Sequence, residues 1–150
     1  ELDARGGRSS RPYPGIRSLL AGLDARDVTM AVVTNKPQRP AELVVDRHFP
    51  GLFRRVRGWR EGGPRKPEPA FLGDVLDDLD LERHEVVLVG DSEVDVAAAR
   101  RAEIAVVAVG WGFRSAEELA ALDPDGMVDE PAAVLAAVEA FGVNRAGARA

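Results

Sequence analysis

Cysteine is absent from all 150 residues, which removes disulfides, thiolate metal sites and a thiol nucleophile together. Chemistry in this chain rests on oxygen and nitrogen groups. Positive charge is not in excess either: 20 Lys and Arg stand against 25 Asp and Glu, for a formal net charge of -5. Such a balance has no general attraction for nucleic acid or an anionic membrane, so an anionic ligand must be held by local groups. No stretch approaches the roughly 18 apolar residues of a membrane-crossing helix, and no charged-then-apolar leader opens the chain. These absences predict a soluble, cytoplasmic protein with neither nucleic-acid nor membrane partners. Internal repeats and interdomain linkers are also missing, and a 45% hydrophobic content suffices for one cored domain. The first residue is Glu rather than Met, which points to a processed, trimmed or incomplete chain.

What is present is organised around Glu85 to Asp95, EVVLVGDSEVD. Val86 to Val89 form an apolar run closed by Gly90, which predicts a strand buried on both faces. Asp91 follows at once, and Asp95 comes four residues later. With a helix starting near Ser92, both carboxylates lie at one helix end, close enough to share a hard cation such as Mg²⁺. The same residues also suit a simpler role, in which Asp91 or Ser92 caps a helix over 93–101.

The rest of the chain alternates in a steady rhythm. Residues 1–12 read as a polar lead-in, and residues 13–142 as one core. Ile16, Leu19, Leu20 and Leu23 mark the buried face of a helix. Val28 to Val33 predict a second buried strand, delivering Thr34, Asn35 and Lys36 at its end. Pro37 suits the first turn of the next helix, and Arg54 to Trp59 a short edge strand. The proline- and glycine-rich segment 61–69 is a loop carrying Lys66. A helix over 70–81 follows, then the central stretch and a strand at Ile104 to Val109. Ser115 with Glu118 opens a helix to Leu122, Met127 to Asp129 form a last short strand, and a helix from Pro131 stops at Gly142. Residues 143–150 are expected to fray. Strands alternating with helices predict an α/β fold: a three-layer, Rossmann-like parallel sheet with helices on both faces.

Three polar clusters fall at strand ends or just before a helix: Thr34 with Asn35, Lys66, and Asp91 with Asp95. Right-handed βαβ connections place such ends along one rim of the sheet. Together they suit a phosphate: hydroxyl and backbone amides donate to its oxygens, Lys66 neutralises charge, and the aspartates hold Mg²⁺ against the same oxygens. Singly, Thr34 also fits a plain strand end, Asn35 a turn former, and Lys66 a solvated charge beside Arg65.

In this order the motifs resemble the haloacid dehalogenase superfamily, and within it the phosphoglycolate phosphatase-like branch. The likeness runs from Tyr13 to about Phe141 through YPGIRSLLAGL, AVVTNKP, RKPEP, VVLVGDSEVDVAAAR, VVAVGWGF and MVDEPAAVLAAV. It implies that Thr34, with Asn35 beside it, binds a phosphoryl group, that Lys66 holds nucleophile and phosphate, and that Asp91 ligates Mg²⁺ with Asp95 supporting. The implied substrate is a small phosphorylated metabolite such as 2-phosphoglycolate. A non-catalytic phosphate- or partner-binding descendant, a sugar phosphomutase and a dehalogenase are the alternatives within the same resemblance.

The chain departs from that pattern in one major respect. The family's DxDGT segment, which carries the nucleophile and follows the middle strand of the sheet, has no counterpart. Asp123 to Gly126 (DPDG) follows a helix and aligns with a later family segment, and Asp77, Asp78 and Asp80 read as a helix's solvated face. The resemblance therefore predicts a gap or an improvised pairing where the central strand belongs, weak Mg²⁺ binding, and no hydrolysis by this chain alone. Two lesser departures are Asp27 and Glu103, which stand where the family usually has glycine. Each costs about 1 kcal/mol if its site requires positive φ.

Overall fold

Helices and strands alternate along residues 11–112 and 114–142, the part described by a computed structural model. Most of the proposed lead-in and all of the proposed frayed tail lie outside those residues. In chain order the elements are α1 (Ile16–Ala25), β1 (Ala31–Pro37), α2 (Gln38–His48), β2 (Arg55–Trp59), α3 (Pro69–Leu79), β3 (Val87–Gly90), α4 (Glu93–Ala102), β4 (Ala105–Val109), α5 (Ala116–Ala120), β5 (Gly126–Val128) and α6 (Pro131–Ala140). Every strand pairing is parallel. Among the described residues no helix is long and apolar enough to cross a membrane.

Helices cover both faces of the strands, because successive side chains of a strand point to opposite sides. On one face Leu23 of α1 and Val134 and Val138 of α6 pack with Met30 and Val109. On the other, Phe71 and Leu72 of α3 pack with Ala98 and Ala102 of α4. Within β4, Val106 turns towards α4 while Val109 turns towards α1 and α6. The architecture is the layered α/β arrangement that the alternation predicts.

The strands nevertheless form two sheets, β1-β2 and β3-β4-β5. Between the edges of β1 and β3 runs an apolar slot of about 120 Å³, lined by Ala31, Val33, Val87 and Leu88 with Leu72, Val75 and Leu76 of α3. Of the two outcomes expected there, the described residues show the gap. It also corrects the expectation that Val86 to Val89 are buried on both faces: Val89 is 40% exposed, whereas Val106 and Val107 of β4 are fully buried. Among the described residues β4 has hydrogen-bonded neighbours on both sides and β3 on one.

A second correction concerns β1, which begins at Ala31 rather than Val28 and carries Thr34, Asn35 and Lys36 within it. The reason lies in how α1 ends. Val28 N–H donates to Leu23 O at 3.1 Å across a left-handed Asp27, φ 56, the closing turn that favours glycine. The Val28 N–H thus closes the helix, although Val28 also makes an isolated β-bridge ahead of the strand. The same turn ends α3 at Asp80 (φ 53) and α4 at Glu103 (φ 58), with Leu81 N–H to Leu76 O and Ile104 N–H to Ala99 O. Acidic residues thus occupy three positions that favour glycine.

Asp tolerates left-handed backbone better than Glu does. Glu103→Gly is therefore expected to raise the unfolding free energy by roughly 0.5–1 kcal/mol in urea denaturation. The ion pair it gives up, with Arg83, is exposed on both sides and contributes little. A loss of stability would show that the pair outweighs the backbone.

Candidate functional site

Lys66 is the piece that joins the two sheets at one end. It lies in the loop between β2 and α3, and its peptide to Pro67 is cis. Its Nζ donates to the Val33 carbonyl of β1 at 3.2 Å and to Asp95 Oδ1 of α4 at 2.6 Å. Its backbone is held as well, since Lys66 N–H donates to Asn35 Oδ1 at 2.8 Å and Asn35 Nδ2 donates to Lys66 O at 3.0 Å. Thr34 sits between those two anchor points, and its Oγ1 accepts from Lys36 N–H at 3.1 Å. That bond leaves the hydroxyl's own proton to be donated elsewhere.

The acidic side of the cluster is built from β3 and the start of α4. Asp91 is 3% and Asp95 6% exposed, so burial on this scale demands partners. Asp95 Oδ2 accepts from Asp91 N–H and Ser92 Oγ, both at 3.1 Å, while Oδ1 takes the Lys66 ammonium. Ser92 is the helix cap, accepting from Asp95 N–H at 3.4 Å. Capping and clustering are therefore compatible, with Ser92, rather than Asp91, as the cap. Glycine is required on both sides, because a Cβ at Gly90 would collide with Asp95 and one at Gly112 with Asp91.

A bidentate pair flanks this site. Arg114 Nε and Nη2 donate to Glu93 Oε2 and Oε1 at 2.8 and 2.7 Å, tying the start of α4 to the segment before α5. These hydrogen bonds, led by those from Arg114, lower the Glu93 carboxyl to about 2 although it is exposed. No spacing rule could have paired residues 93 and 114. The pair of hydrogen bonds exchanged between the Asn35 amide and the Lys66 backbone is equally beyond sequence reading, because the partner of a turn-forming amide is set by the fold.

Lys66 thus links Asn35 and Val33, which flank Thr34 in β1, to Asp95, which in turn accepts from the Asp91 backbone. The buried part holds two carboxylates, Asp91 and Asp95, and one ammonium, Lys66. Such a set can accept a hard cation and an anion together. Among the described residues no three or more His, Asp or Glu side chains gather where a metal could be held. Mg²⁺ commonly uses one or two carboxylates and completes its shell with water and phosphate oxygens, so hard oxygen donors in this number fit it.

Comparison with known proteins bears on the same residues. The family model described as haloacid dehalogenase-like hydrolase matches residues 3–109. A phosphoglycolate phosphatase of Rhodospirillum rubrum is 37% identical over 123 residues, 79% of this chain and 49% of that protein. One of Pseudomonas savastanoi pv. phaseolicola is 35% identical over 122 residues, covering 79% and 44%. The chain spans about half the length of the curated relatives it matches. Among solved structures, a Lactobacillus delbrueckii subsp. bulgaricus protein with a provisional phosphoglycolate phosphatase name superposes with a TM-score of 0.82 at 36% identity, over 86% of this chain and 54% of that one.

Proposed function

Because the chain belongs to the haloacid dehalogenase-like hydrolase family, we propose that it is the core of a Mg²⁺-dependent phosphomonoesterase acting on a small phosphorylated metabolite such as 2-phosphoglycolate. The observation that carries this reading is the Lys66 ammonium, hydrogen-bonded at once to the Val33 carbonyl and to Asp95. An ammonium has three donors. With two engaged, the third is available to a phosphoryl oxygen beside Thr34.

In this reading Thr34 donates its hydroxyl to the phosphoryl group and Lys66 neutralises it, while the rim segment bearing Asn35 frames the same oxygens. Asp91 holds Mg²⁺, and Asp95, its oxygens occupied, supports from behind. The ion would supply charge neutralisation on the phosphoryl oxygens. Fixed donors and charges of this kind act most strongly where charge develops in the transition state. The sequence has no DxDGT segment to furnish a nucleophile and an acid for the leaving group, so these 150 residues acting alone are inactive.

A second reading, a phosphate binder without hydrolysis, is favoured by one observation: both Asp95 oxygens are already bonded within the protein. The test is hydrolysis of a generic aryl phosphate with Mg²⁺, by this chain and by a version preceded by an apolar strand ending in an aspartate pair. Turnover is expected only in the longer form. Turnover by the shorter form would overturn the account of the nucleophile, and phosphate binding without turnover in either would favour the second reading.

A further inference from the structure

We propose that the Asn35 side chain is a positioning group that acts through Lys66 and makes its contribution without touching the ligand. This deepens the phosphatase reading and rests on it for the consequence, though not for the geometry. The two Asn35 bonds, Nδ2 to Lys66 O at 3.0 Å and Lys66 N–H to Oδ1 at 2.8 Å, span 31 residues. They reproduce with a side chain what a neighbouring strand does with its backbone, giving one donor and one acceptor to the same residue. The orientation of the amide is set by this match, because flipping it would put donor against donor and acceptor against acceptor.

The effect is to tie Lys66 to β1 at both ends. Its backbone is fixed by Asn35, and its ammonium returns to the carbonyl of Val33, two residues earlier. A lysine side chain is otherwise a flexible stem with many rotamers. Anchoring its root and its tip to one strand leaves the remaining ammonium proton a narrow range of directions, beside Thr34, which lies between the two anchor points in β1. Sites of this kind need their groups held to within roughly half an ångström. Asn35 does so while being itself exposed, which marks it as a brace and keeps its replacement compatible with folding.

The chain offers an internal reference for testing this. Its only lysines are Lys36 and Lys66, so acylation by a water-soluble amine reagent, resolved by peptide mass spectrometry, reports one against the other. Asn35→Ser is expected to raise the Lys66-to-Lys36 labelling ratio about threefold or more as local opening exposes the held amine, with the melting temperature little changed. Asn35→Asp, which keeps the acceptor and loses the donor, should give a smaller rise. An unchanged ratio in both variants overturns the proposal. A second arm measures inorganic phosphate binding by isothermal calorimetry: Asn35→Ser should weaken it in the wild-type background but add no loss to Lys66→Met. Additive losses would show that Asn35 meets phosphate directly and would overturn the indirect role. If the ratio rises but the parent chain binds no phosphate, positioning stands and the phosphatase reading fails, so the two are separable.

Discussion

Asp95→Ala is expected to lower the unfolding free energy by about 3 kcal/mol or more, as a buried pair broken from one side does. Asp95 is 6% exposed, and the Lys66 side chain it meets is 11% exposed. Truncating the aspartate leaves an ammonium with little access to water and removes the acceptor for Asp91 N–H and Ser92 Oγ. Each orphaned donor adds about 1–3 kcal/mol if it cannot reach solvent. Lys66→Met should cost less, because Asp95 keeps its two donors at Oδ2 and the lysine stem is replaced by apolar volume. The double variant Lys66→Met with Asp95→Ala should then be more stable than the sum of the single losses predicts, by about 1 kcal/mol or more. Urea unfolding of the three variants at neutral pH measures this coupling. Strict additivity would mean that water replaces the pair without penalty and that the cluster is held by its backbone alone.

This dependence on Asp95 was half visible in the sequence. An apolar run ending in Gly90 and followed by two aspartates four residues apart places carboxylates at a strand end, and the proline-punctuated loop around Lys66 marks it as neither helix nor strand. What periodicity does not carry is which oxygen meets which proton. The spacing expects Asp95 to share a cation with Asp91; it does not show that the Asp95 oxygens also accept from Lys66, Asp91 and Ser92, partners that depend on Gly90 letting the side chain fold back over the strand end. The start of β1 was misplaced for a local reason, since a left-handed Asp27 uses Val28 to finish a helix, and a valine spent that way looks identical to one that opens a strand. Val89 differs from its expected burial for a global reason. Its apolar neighbours are those of a central strand, but burial is conferred by the strand alongside, and β3 has one such neighbour among the described residues.

In a form supplied with the nucleophile-bearing strand and active, Lys66→Ala and Asp91→Asn are each expected to lower kcat/KM by about 10²–10³ or more, the usual effect of removing one electrostatic contact to developing charge. The two losses should differ in kind. Lys66 is fixed by Asn35, Val33 and Asp95, so Ala removes a charge that no added ion can replace in the same place. Arg at that position should not rescue, because a planar guanidinium cannot occupy the compact site of an ammonium bonded to both the Val33 carbonyl and Asp95. Asp91→Asn keeps the shape that packs against Gly112 and the backbone N–H that Asp95 accepts, while losing one negative charge. Its deficit should therefore shrink as Mg²⁺ is raised, where that of Lys66→Ala stays constant. Measuring kcat/KM across a Mg²⁺ series separates the roles: parallel curves for the two variants would mean that Asp91 does not meet the cation, and undiminished rates in either would remove that residue from the site.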